Sequence, residues 1–159
     1  MLLRSLFVLF ITFVTFCNAE EELIETKLTG KTIYISTIKL PWFQALNHCV
    51  KNGYTMVSIK TFEENKELLK ELKRVIRTED TQVWIGGLKH HQFANFRWVS
   101  DGSHVATASG YTNWAPGEPA DSFYYDQFCM AMLFRKGSAP WDDLNCWVKN
   151  LFVCEKRDD

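Results

Sequence analysis

Four cysteines, Cys49, Cys129, Cys146 and Cys154, constrain most what this chain can fold into. The fifth, Cys17, falls in an amino-terminal stretch with Arg4, an apolar run over residues 6–16, then Cys17-Asn18-Ala19 and three glutamates, Glu20 to Glu22. One basic residue, a short apolar core and small residues before an acidic start predict a secretory signal peptide over residues 1–19. Its apolar core is about a dozen residues long, whereas a membrane span needs about 20. Cleavage is therefore expected rather than retention as an anchor, and no later apolar run is long enough to span. An even cysteine count in a secreted, extracellular chain predicts two disulfides, and the sequence leaves three connectivities open. The gaps between the cysteines fit no zinc ribbon or finger.

Three of the four cysteines lie between Tyr111 and Cys154, in a stretch punctuated by oxygen donors: Glu118, Asp121, Asp126, Gln127, Asp142 and Asp143. The donors are irregularly spaced among Pro and Gly, which predicts that they lie on loops rather than along one helix face. Oxygen donors on a stapled loop suit a hard cation such as calcium, which takes about 6–8 oxygen ligands in flexible geometry.

The same stretch reads Tyr111-Thr112-Asn113-Trp114-Ala115-Pro116-Gly117-Glu118-Pro119-Ala120, then Gln127 ahead of Cys129, then Trp141-Asp142-Asp143, Cys146 and Cys154. Together with Trp84-Ile85-Gly86-Gly87 it closely resembles the C-type lectin domain over roughly residues 34–155. That resemblance implies an α+β fold: two helices, two small antiparallel sheets, a long loop, and the bridges Cys49–Cys154 and Cys129–Cys146. It also implies a calcium ion held by five side chains that ligates two sugar hydroxyls as well. Glu118 and Asp143 match that set, and Asp142 stands where the family has Asn. Asp142 keeps an oxygen but loses the amide donor. Gln127 keeps a neutral oxygen in place of a carboxylate, and Ala120 supplies no side-chain oxygen. Pro119 is expected to be a cis-proline shaping the loop, with Trp141 buried beneath it.

With the leader set aside, 140 residues remain, enough for one domain with a real core over 20–159. The net charge of the whole chain is −1, which does not argue for nucleic acid or bulk membrane as a partner. No hydrolase motif occurs, and His90-His91 lack a partnered nucleophile motif, so an enzyme is not expected. The resemblance implies a secreted binding protein. Its expected partner is a protein or glycoprotein, gripped by the loop of Glu118, Pro119, Ala120, Phe123, Tyr124 and Tyr125. A salivary anti-haemostatic role is one such function among similar insect proteins. The competing expectation is a calcium-dependent, mannose-type lectin of innate immunity that binds glycan.

Along the chain, residues 20–30 read as a polar lead, and Lys31 to Ile38 alternate as a first strand. Pro41 opens a helix with Trp42, Ala45, Leu46, Cys49 and Val50 at helical spacing, stopped by Gly53. Residues 54–59 suggest a short strand. Thr61 and Glu64 form a capping-box pattern before a second helix with Phe62, Leu68, Leu69, Leu72 and Ile76 on its apolar side. Its opposite side carries Lys66, Lys70, Lys73, Arg74 and Arg77 beside Glu63, Glu67 and Glu71, an ion-paired solvated face. Strands are expected at 83–88, 96–99, 129–134 and within 147–155. The long irregular region from 103 to about 127 marks a functional loop.

Overall fold

The computed structural model describes residues 22–157 apart from 79, 92–93, 106–109, 121–126 and 136–137. The expected signal peptide, Asp121, Phe123, Tyr124, Tyr125 and Asp126 therefore lie outside the described residues.

Two helices, α1 (Trp42–Lys51) and α2 (Phe62–Val75), precede most of the strands. The strands are β1 (Leu23–Leu28), β2 (Lys31–Ser36), β3 (Thr55–Met56), β4 (Thr81–Leu88), β5 (Arg97–Trp98), β6 (Gln127–Phe134), β7 (Trp141–Asn145) and β8 (Leu151–Arg157). They run β1-β2-β8-β4-β6-β7 across the molecule, with β3 added on β8 and β5 on β4. The ladders are antiparallel except between β4 and β8, where Val83 faces Leu151 and Trp84 faces Phe152 in parallel. That short parallel join links two antiparallel halves, so the two small sheets expected are continuous through β4 and β8.

The supposed polar lead is in fact β1, paired along its length with β2 from Leu23↔Ser36 to Leu28↔Lys31. Gly30, at φ 79°, makes the hairpin turn possible. The strand is polar because α2 satisfies it. Glu71 accepts from the Thr26 hydroxyl at 2.8 Å, and Glu67 accepts from the Thr29 N–H and hydroxyl at 2.8 and 2.7 Å. The acidic stripe of α2 thus holds down the β1 hairpin as well as pairing with its own cations, of which Arg74–Glu71 at 2.9 Å and Lys66–Glu63 at 3.8 Å are two.

In α1, Trp42, Ala45 and Cys49 point inward, while Val50 is exposed despite its helical spacing. In α2, the Thr61 hydroxyl accepts the Glu64 N–H at 3.1 Å, and the Glu64 carboxylate reaches back one residue further than a capping box, to the Lys60 N–H at 2.6 Å. Leu68 and Leu72 are buried, whereas Phe62, at the first turn, is exposed.

Both disulfides are present in the pairing that the resemblance implies: Cys49–Cys154 and Cys129–Cys146, with Cα atoms 5.5 and 5.3 Å apart. The first pins α1 to β8 across 105 residues, a closure worth about 4–5 kcal/mol on the chain-entropy model.

Gly86 of β4 lies where the sheet meets the 56–57 backbone. A Cβ there would fall 2.8 Å from the Met56 carbonyl oxygen and 3.0 Å from that of Val57. Backbone atoms cannot swing aside, so Gly86→Ala is expected to cost about 1–3 kcal/mol in urea unfolding.

Candidate functional site

Trp141, the first residue of β7, is the floor of the site. It is wholly buried, and its indole N–H donates to the Asn65 side-chain oxygen of α2 at 3.0 Å. Tyr111, Trp98 and Trp114 meet its ring edge-on at 5.5, 5.8 and 6.0 Å. Backbone bonds from Trp141 N–H to the Asn113 carbonyl (2.6 Å) and from the Ala115 N–H to the Trp141 carbonyl (2.7 Å) lay the 113–118 segment along β7. A rigid aromatic platform therefore delivers Glu118 beside the next residues of the strand.

Glu118, Asp142 and Asp143 converge there, each offering a carboxylate oxygen within 4.8 Å of the others. Asp142 and Asp143 are on β7 and Gln127 begins β6, so only Glu118 of these four is on a loop, against the reading of loops throughout. β7 escaped notice because its inward face is Trp141 and Asp143, one aromatic and one acid, rather than an apolar alternation. The Glu118–Pro119 peptide is cis. Ala120 turns its N–H onto Asp143 Oδ1 at 2.9 Å. The Gln127 backbone pairs with Asn145, and its side chain lies outside the described part of the structure.

Crowding shows in the electrostatics. Burial first, then the hydrogen bond to Asp143 and the charge of Asp142, push the Glu118 carboxyl up to about 7. Asp142 is raised by burial and by the charge of Asp143. Glu118 Oε2 is buried with no hydrogen-bond partner among the described residues.

One residue of the site escaped the sequence reading. Lys89, just after β4, is 3% exposed, and its ammonium lies 3.4 Å from Oδ2 of the fully buried Asp143. The ammonium sits 4.9 Å from the centre of the Phe96 ring and 5.9 Å from that of Phe128. The only signal in the sequence is a single lysine closing an apolar run, immediately before the conspicuous His90-His91 pair. Those two histidines are exposed and pack on each other with ring centres 4.4 Å apart.

The described residues form an incomplete version of the calcium site that the resemblance implies. Three carboxylates are in place, but Ala120 supplies no side-chain oxygen. Each oxygen of Asp143 already faces a proton-bearing nitrogen, from Ala120 or Lys89. Chemically, the described residues form an acidic, aromatic-backed cluster that includes the Lys89 ammonium.

Comparison with known proteins agrees with this architecture. Residues 38–156 match the C-type lectin domain model. The chain is 25% identical to salivary C-type lectin 2 of Aedes albopictus, over 73% of this chain and 77% of that protein. Among solved structures, the carbohydrate-recognition domain of mouse scavenger receptor C-type lectin is similar at a TM-score of 0.69 and 27% identity, covering 85% of this chain and 94% of that one. A calcium-independent type II antifreeze protein is similar at a TM-score of 0.66 and 26% identity, covering 87% and 98%. The cysteine pairing, the aromatic floor under a cis-proline loop and the domain match together establish that this chain belongs to the C-type lectin domain family.

Proposed function

We propose that the chain is a secreted lectin-like binding protein that recognises a protein or glycoprotein partner through Glu118, Pro119, Ala120, Phe123, Tyr124 and Tyr125 and their flanks, without requiring calcium, and that it is not an enzyme. The observation that carries this reading is Ala120. Where a metal-bridged sugar site needs a side-chain oxygen, this residue has none, and its backbone N–H is held by Asp143. The solved structure named as a calcium-independent antifreeze protein supports the premise that this fold can be used without the ion. On this reading Phe123, Tyr124 and Tyr125 supply the contact, because an exposed aromatic can anchor an interface for about 2 kcal/mol or more.

The expected result is that partner binding loses less than about tenfold, or roughly 1.4 kcal/mol, when chelator is added. Free mannose and free galactose should not compete. On a glycan array, no signal should appear with calcium and vanish with chelator; such a signal would overturn the proposal. A salivary anti-haemostatic role is the narrower form of this reading, supported by the likeness to the Aedes albopictus salivary protein. Recombinant protein should then prolong plasma clotting. The alternative, a calcium-dependent mannose-type lectin, is favoured by the convergence of Glu118, Asp142 and Asp143, and the same array decides between them.

A further inference from the structure

The cluster at the loop has a charge problem. Three carboxylates converge within 4.8 Å, and like charges at that range repel strongly where water is scarce. A proton on the raised Glu118 carboxyl relieves part of that repulsion, and a cation beside Asp143 relieves more. In a site of the familiar type, a divalent ion would do so from the point where the oxygens meet. Here, one of the converging groups already has a cation against it.

Lys89 is placed for that task by three observations. Its backbone is fixed, because its N–H donates to the Phe128 carbonyl at 2.9 Å. Its ammonium lies close to two aromatic rings, Phe96 and Phe128, and cation–π attraction favours that position. Its ammonium is buried 3.4 Å from Asp143 Oδ2, and Asp143 is itself fully buried. A buried ammonium persists only where it is paired, and so does a buried carboxylate.

Two cations at this spot would compete for Asp143. A calcium ion ligated by Asp143 would lie within a few ångströms of the Lys89 ammonium, and their repulsion in a buried setting would oppose binding of the ion. The lysine and the metal are therefore alternatives. Asp143, held on one oxygen by Lys89, holds the Ala120 N–H with the other. The chain Lys89–Asp143–Ala120 thus fastens the tip of the loop to the sheet.

We propose that Lys89 is the built-in cation of this site: it takes the charge-balancing place of calcium at Asp143 and, through Asp143, fixes the 118–120 loop without metal. Lys89 is a positioning residue and need not touch the partner. The inference deepens the reading of the loop as calcium-independent. Its test uses no partner, so the two can fail separately.

The test is calcium titration of the wild-type chain and of Lys89→Met, which keeps an unbranched stem between the rings but removes the charge. Wild-type protein is expected to show no calorimetric binding tighter than about 1 mM, the weak end for extracellular calcium modules. Its Tm should move by less than about 1 °C between chelator and excess calcium. Lys89→Met is expected to melt lower in chelator and to bind calcium at about 100 µM or tighter. Calcium should then raise its Tm by about 5 °C or more.

Wild-type binding below about 100 µM with a matching rise in Tm would overturn the proposal. So would a folded Lys89→Met that ignores calcium, because the site would then lack ligands whatever stands at 89. If Lys89→Met does not fold, Lys89→Gln carries the same criteria, and the wild-type titration decides on its own.

Discussion

Glu155→Ala is expected to destabilise the fold by about 3–5 kcal/mol, the usual cost of leaving a buried charge without its partner. Glu155 is 1% exposed on β8. Its Oε2 accepts from Lys31 Nζ at 3.0 Å and from the Ser58 N–H at 3.1 Å, and its Oε1 accepts from the Ser58 hydroxyl at 2.9 Å. Lys31, 5% exposed on β2, also donates to the Ser58 carbonyl and stands 3.5 Å from Glu64 of α2. One carboxylate therefore joins two strands, the segment after β3 and a helix. Removing it leaves an ammonium and a backbone N–H buried with less than they need. The exposed Lys66–Glu63 pair gives the contrast, since Lys66→Ala should cost less than about 1 kcal/mol. Urea unfolding followed by tryptophan fluorescence measures both. A loss under about 1 kcal/mol for Glu155→Ala would mean that Glu64 or water satisfies the Lys31 ammonium in its place. Replacing Lys31 and Glu155 together by Met and Leu should recover much of the loss, because neither charge is then stranded.

What could be read from the sequence follows from how local each signal is. Both helices announce themselves within a few residues: Pro41 and Gly53 bracket the first, Thr61 caps the second, and apolar positions recur at helical spacing. β4 and β6 are apolar runs, legible for the same reason. β1 and β7 were not, because their polar side chains are satisfied by distant residues. Thr26 and Thr29 find their acceptors 45 and 38 positions away, on α2. Asp143 can be buried in a strand only because Lys89, 54 positions earlier, is buried with it. No window of sequence contains such a pair. Likewise, nothing in spacing alone brings Glu118 to Asp142 and Asp143; the resemblance to a known domain suggested it, and the platform on Trp141 accounts for it. Val50 and Phe62 err in the other direction, since they satisfy the periodicity of their helices and yet face solvent.

Asp143→Ala is expected to have an effect of the same size, about 3–5 kcal/mol, and to reach function as well as stability. The substitution strands the Lys89 ammonium against Phe96 and Phe128, and it frees the Ala120 N–H that holds the loop tip. Neighbouring Asp142 provides the control. It is only half-buried, and the charge of Asp143 works against its ionisation. Asp142→Asn therefore relieves repulsion among three carboxylates and should leave stability unchanged or slightly higher, by less than about 1 kcal/mol. The two substitutions remove one charge each, at adjacent positions of one strand, so a difference between them cannot come from net charge. Urea midpoints should separate them by more than about 1 M if the unfolding slope is near 2 kcal/mol per M. Partner binding should fall with Asp143→Ala and persist with Asp142→Asn, because only the former releases the 118–120 loop. Equal effects from the two would show that the cluster acts through its summed charge, as a metal-binding site would, rather than through the bonds of Asp143.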